Sequence, residues 1–181
     1  MLIGTIELPR VLTSKGSWQR DALSQYYEHP LPNVRLSEYD RNRNETGFRI
    51  DADDRAIGFM WIQNFHASRY HRPHVTLSVL STSTDLPVPE TDPIFSEYHG
   101  RGYGMAAYLI GIEHLADQNR ALRSGGKMTT HSIALWQRLV RCGVAVCRSE
   151  PVPLPRQKSD TQDFFCALYV ARVTSVRPRL G

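Results

Sequence analysis

His99-Gly100-Arg101-Gly102-Tyr103-Gly104 decides how this chain is read. Three glycines at alternate positions lead directly into an apolar stretch, residues 105–118, that predicts a helix. Without Cβ atoms such a turn leaves its backbone bare. The first N–H groups of the helix have no intrahelical partner and sit at the positive end of its dipole. Together these features predict an anion cradle suited to a phosphate or pyrophosphate. A P-loop would end in Gly-Lys-Ser/Thr, which Gly104-Met105-Ala106 does not supply. A dinucleotide fingerprint can be laid over Gly102-x-Gly104-x-x-Ala107. The segment before it is a proline-rich loop rather than a strand, however, and no acidic residue closes a second strand about twenty residues later. A tight turn that needs glycine for geometry alone is the plainer alternative.

Downstream of the turn, residues 121–123 read as a short strand. Residues 130–142 read as a helix with Ile133, Trp136, Leu139 and Val140 on one face and Thr129 or Thr130 as N-cap. Residues 144–147 and 164–173 are apolar, β-rich runs either side of a Pro-rich connection at 151–155. Upstream, residues 2–8 alternate loosely as a first strand, and residues 17–29 form a short amphipathic helix stopped by Pro30. Residues 46–50 and 56–63 predict two strands about the Asp51-Ala52-Asp53-Asp54 turn. Residues 74–81 predict a third, with Val75, Leu77 and Val79 on one face. Pro87, Pro89 and Pro93 make 82–98 a loop. Strands and helices in this order predict a mixed α/β domain built round one sheet.

The glycine turn and the helix after it resemble motif A of the GNAT superfamily of acyl-CoA N-acyltransferases. The family pattern is Arg/Gln-x-x-Gly-x-Gly/Ala, and His99, Gly102 and Gly104 stand at its three defined positions. Ile133-Ala134-Leu135-Trp136-Gln137-Arg138-Leu139 looks like the family's second helix, and Leu122-Arg123-Ser124-Gly125 with Ser132 and Trp136 is similar to small phage-encoded GNAT-like proteins. The resemblance covers about residues 46–147, with its weight on 99–143. It implies a GNAT-like α/β fold, a central mixed, mostly antiparallel sheet flanked by helices on both faces. Residues 1–181 would form a single domain, with a Pro-rich loop at 82–98 and a basic segment at 172–181. The sheet would splay between two neighbouring strands, with acetyl-CoA as co-substrate in the gap. His99, Gly100, Arg101, Gly102, Tyr103, Gly104 and Met105 would bind it, its pyrophosphate resting on the backbone amides. An amine, on a small molecule or a protein, would approach from the opposite face and attack the thioester directly.

Three departures from the family pattern matter. His99 replaces Arg or Gln, and a neutral imidazole donates one bond where a guanidinium offers several. Trp136 stands where many members carry the tyrosine that protonates the leaving thiolate, and an indole N–H is no useful acid. An aromatic at helical spacing also reads as core. Thr129 stands where asparagine is common. Two weaker catalytic candidates remain: Ser132, one turn before Trp136, to orient a water, and His74, at the start of the strand expected to border the cleft, as general base. These departures open an alternative, a catalytically silent GNAT-fold structural or interaction protein such as a phage particle component.

The chain has 181 residues and 41% hydrophobic content, ordinary for a globular domain. No apolar run approaches the roughly 20 residues that span a bilayer, and the first residues show no secretory pattern. The expectation is a cytoplasmic protein, or a virion one if the silent reading holds, with no membrane partner. Residues 1–98 carry ten basic and thirteen acidic groups; residues 99–181 carry twelve and five. The positive second half suits a polyphosphate ligand, an acidic partner or, on weaker grounds, nucleic acid. A homodimer or a larger protein assembly is also open. His66, His71 and His74 lack an accompanying carboxylate or cysteine, so a plain hairpin connection, or else a polar loop that meets the acceptor or a phosphate, is expected there rather than a metal site. Cys142, Cys147 and Cys166 read as buried structural thiols.

Overall fold

A computed structural model describes residues 10–41, 45–64, 77–83, 98, 100–118, 120–125, 127–157 and 163–171. The first half is an antiparallel meander: β1 (Val11–Leu12), β2 (Arg35–Arg41), β3 (Glu45–Ala52), β4 (Arg55–Asn64) and β5 (Leu77–Ser83). Strand alternation fixes its inner face. Leu36 pairs with Ile50, Phe48 with Met60 and Thr46 with Ile62, so these side chains share one side, and the five apolar ones among them are buried. The β3–β4 hairpin closes at Asp53 and Asp54, both at positive φ (48° and 60°), a conformation that short polar side chains tolerate and that suits the twist of the strands.

The sheet then becomes mixed. The chain crosses over through α2 (Tyr103–Asp117) to β6 (Ala121–Arg123), which pairs with β5 in parallel. Next come β7 (Met128–Thr129), α3 (Thr130–Arg141), β8 (Ala145–Pro153) and β9 (Phe164–Ala171). The strand order is β1-β2-β3-β4-β5-β6-β9-β7, with β8 on the other edge of β9. Helix α1 (Ser17–Ser24) precedes β2. The architecture is a mixed α/β domain, a mostly antiparallel sheet flanked by helices. Helix α2 is apolar round most of its circumference and correspondingly buried, from Met105 to Ile112 and again at Leu115.

Several elements differ from expectation. Strand β2 went unpredicted because Arg35-Leu36-Ser37-Glu38-Tyr39-Asp40-Arg41 carries a single aliphatic residue. Strand β8 continues through Pro151 and Pro153, where a connection was expected. Among the described residues it pairs only with β9, and a strand at the sheet edge tolerates missing donors. Helix α1 ends at Ser24 rather than 29, and β5 runs to Ser83, past the expected start of the loop. The expected first strand, residues 84–97 of the loop and the basic segment at 172–181 lie outside the described residues.

Helix α1 has no side-chain cap of its own. Glu113 of α2 supplies one: Gly16 N–H donates to Oε1 at 2.9 Å and Lys15 N–H to Oε2 at 2.8 Å. A carboxylate at a helix N-terminus satisfies orphan donors and complements the dipole. Glu113→Ala is therefore expected to cost about 1–2 kcal/mol, read as a lower Tm in thermal denaturation.

His114, in the next position, packs edge-on to Phe48 with ring centroids 6.1 Å apart. Burial first, and the Arg10 guanidinium second, lower its imidazole from 6.5 to about 4. The folded protein thus binds this proton less readily than the unfolded chain. The associated stability is complete above the unfolded value and is lost as pH falls toward about 4. The acid-induced fall in Tm across this window should be smaller in His114→Gln than in the wild type.

Candidate functional site

The parallel pairing of β5 and β6 lasts three residues, from Leu77 opposite Ala121 to Val79 opposite Arg123. Beyond it β5 continues to Ser83 along β4, and among the described residues it has no further partner on its other side. The chain after β6 follows β9 instead. Arg123 pairs with Val170 and Met128 with Phe165, the same antiparallel register, interrupted between them. Ser124 marks the departure. Its N–H donates to Tyr169 O at 2.9 Å, while its buried hydroxyl accepts the Tyr169 N–H at 3.0 Å in place of a backbone carbonyl. The sheet therefore opens at the C-terminal end of β5.

Both later helices begin at this end. Helix α2 links two parallel strands, so it runs against them and starts where β5 finishes. Strand β7 continues the β6 path and delivers Thr129 as the N-cap of α3, with Thr129 Oγ1 accepting the Ser132 N–H at 3.2 Å. The helices meet through Tyr108 and Trp136, whose rings are 5.9 Å apart and perpendicular.

The three glycines divide their work. Gly102 is the N-cap of α2 at φ +88°, and among the described residues no side chain caps it. The first helical bond runs from Ala106 N–H to Gly102 O at 2.9 Å, so the Tyr103, Gly104 and Met105 N–H groups precede the ladder. A Cβ on Gly102 would lie 2.7 Å from Leu31 Cδ2, with Tyr27 and Pro32 also close; this glycine fits α2 against the segment after α1. Among the described residues, a Cβ on Gly100 or Gly104 would meet nothing within 4 Å. The accessible side of the cradle is thus at Gly100 and Gly104, where bare backbone faces open space, while Gly102 serves packing. Arg101 is exposed beside them. His99 and His74, like His66 and His71, lie outside the described residues.

Ser132 sits in the first turn of α3 with its hydroxyl 3.2 Å from Thr129 Oγ1, inside the cap. Trp136 is core: 1% exposed, stacked on Tyr169 at 5.9 Å and 13°, and edge-on to Tyr108. Burial pushes the Tyr108 phenol well above its ordinary value. The Tyr169 phenol is also raised, by burial first and then by Cys147 and Glu150. Its Oη is buried, with Gln137 and Cys147 beside it. Sequence reasoning passed over Tyr169 and gave Ser124 no role beyond its place in the resemblance at residues 122–125. Alternation of Ala167, Tyr169 and Ala171 was the signal available for the first; nothing local marked the second.

The expectation of three buried thiols is corrected. Cys166 is exposed, because β9 turns Ala167, Tyr169 and Ala171 inward and Cys166 outward; Cys142 and Cys147 are half-buried. A polar cleft of about 330 Å³ lies by the β3–β4 turn, lined by residues including Arg20, Asn33, Arg35 and Asp51. Its charges are largely spoken for: Arg35 pairs with Asp54 at 2.7 Å, Arg49 with Asp51 at 2.7 Å, and Arg20 donates to Leu31 O and Pro32 O. Among the described residues no cluster of His, Cys, Asp and Glu could hold a metal, and no helix is long and apolar enough to cross a membrane.

Strand order and site together define a mixed α/β domain with a splayed parallel pair and a glycine-capped helix at its mouth. No protein-family model matches the chain, and no curated protein is similar to it in sequence. Among solved structures, it is similar to a Salmonella typhimurium acetyl transferase that modifies the N-terminal serine of ribosomal protein L7/L12. That match has 10% identity and a TM-score of 0.43, over 73% of this chain and 65% of that one. It is also similar to Mycobacterium smegmatis RimJ in complex with CoA-disulfide, at 16% identity and a TM-score of 0.41, over 71% and 54% of the two chains. A third is the Campylobacter jejuni N-acetyltransferase PseH, at 11% identity and a TM-score of 0.36, over 72% and 70%. The chain thus spans less than two thirds of the length of the first two. At these identities the likeness concerns fold and carries no substrate.

Proposed function

We propose that this protein is an acyl-CoA-dependent N-acyltransferase of the GNAT type, using acetyl-CoA and an amine acceptor. One observation carries the reading: the glycine N-cap of α2, which no described side chain caps, with Gly100 and Gly104 facing open space, stands at the end of the sheet where β5 and β6 part. The Tyr103, Gly104 and Met105 amides supply three directed donors at the positive end of a 15-residue helix, which fits a pyrophosphate. The opening beside β5 offers strand backbone with no partner among the described residues to an extended ligand arm. Acetyl-CoA would bring the activated acyl group. The chain's own part is to hold that group against the open strand and leave the other face of the sheet to the amine, so that positioning supplies much of the rate. Calorimetric titration with acetyl-CoA tests this reading, with micromolar binding expected.

The burial of Trp136 favours a second reading, a GNAT-type fold without catalysis that serves as an interaction protein. The side chain at the usual acid position is walled in by Tyr108 and Tyr169. Acetyl-CoA binding without turnover on any amine would select this second reading.

A further inference from the structure

Helix α2 covers one face of the meander, where His114 meets Phe48. The alternating residues point the other way, and there three aromatic rings form a cluster. Tyr39 of β2 is edge-on to Phe59 (5.2 Å, 85°) and to Trp61 (6.3 Å, 80°) of β4, and Phe59 and Trp61 are nearly parallel at 6.2 Å and 23°. Tyr39 reaches them by lying across β3 over Gly47, where a Cβ would come within 2.9 Å of Tyr39 Cζ. A mid-strand glycine weakens a strand and is kept where something approaches closely. The rings are not core: Tyr39 is 46% exposed, and Phe59 and Trp61 are half-buried.

Their place in the sheet is specific. Phe59 pairs with Ser83 and Trp61 with Ser81, so the cluster lies one strand from the opening, on the face turned away from α2. Among the described side chains, the charges beside it, Arg49 and Asp51, neutralise each other at 2.7 Å, and Ser37 also donates to Asp51 at 2.8 Å. That surface suits a flat apolar ring and offers a polycation little.

We propose that Tyr39, Phe59 and Trp61 form the acceptor platform and that the acceptor is a small arylalkylamine, a primary amine on a short chain from a planar aromatic ring. The proposal rests on the transferase reading above. The ring settles on the exposed aromatic surface by stacking or edge contact, and the chain carries the amine across β5 to the opening. The neutral nitrogen bonds to the acyl carbon, the carbon–sulfur bond breaks, and the sulfur leaves with its electron pair. The proton lost by nitrogen ends on the CoA thiol.

The test compares tryptamine with propylamine as acceptors, with acetylated product measured by mass spectrometry and acetyl-CoA affinity by calorimetry. The KM for tryptamine is expected to be at least about tenfold below that for propylamine. Tyr39→Leu and Trp61→Leu should each raise the tryptamine KM several-fold and affect propylamine far less, while Tyr39→Phe, which keeps the ring, retains the preference. Equal KM values, a preference untouched by both leucine variants, or no product from either amine by a protein that binds acetyl-CoA would overturn the acceptor proposal alone. Failure of the folded wild type to bind acetyl-CoA would overturn the transferase reading, and this proposal with it.

Discussion

Gly102→Val should lower stability by about 3 kcal/mol or more and Tm by about 10 °C. Two costs combine. The residue sits at φ +88°, where a β-branched side chain is strained, and its Cβ would stand 2.7 Å from Leu31 Cδ2 and 3.4 Å from Tyr27 Cδ1. Leu31 is 4% exposed and anchored by Arg20, so it has little room to yield. Against a typical total of about 5–15 kcal/mol, this loss is large. A melting temperature close to that of the wild type would contradict the packing role assigned to this glycine. Gly104→Val, whose side chain would enter open space, should leave Tm nearly unchanged.

Trp136→Ala should cost about 3–5 kcal/mol, because a fully buried ring leaves a cavity between Tyr108 and Tyr169 that the surrounding elements cannot close. Trp136→Tyr is more informative about chemistry. It restores the residue that the family resemblance leads one to expect, yet it should give no gain in acetyl transfer. A phenol at this site would share the burial that already raises Tyr108 and Tyr169, and so would be a weaker acid than free tyrosine. Thermal melts of both variants, and acetyl-transfer rates of the tyrosine variant against wild type, check these outcomes. A marked rate gain in Trp136→Tyr would show that position 136 reaches the reacting atoms.

The sequence made the second half of the fold readable and left part of the first half obscure. The apolar helix after Gly104, the strand at 121–123 and the helix opened by Thr129 were legible because periodicity and capping act locally. Strand β2 was hidden because its one aliphatic side chain, Leu36, gains its meaning only from Ile50 across the ladder. The prolines of β8 suggested a connection, since nothing local reveals that a strand will lie at the sheet edge. In the site, the turn announced bare backbone but not which glycine faces a ligand. Leu31 and Tyr27, some seventy residues away, decide that for Gly102. Ser124 closing onto Tyr169 is likewise a long-range arrangement, and Tyr39 lying over Gly47 depends on the β2–β3 register.

The most direct test is calorimetric titration of wild type and Gly104→Val with acetyl-CoA, each first shown to be folded by its melting curve. The valine adds a side chain at the open side of the α2 N-terminus without touching the core. The expected result is micromolar binding to the wild type and an affinity at least about tenfold weaker, a difference of roughly 1.4 kcal/mol, in the variant. No binding by the folded wild type, or equal binding by the two proteins, would contradict the assignment of this turn as the pyrophosphate cradle.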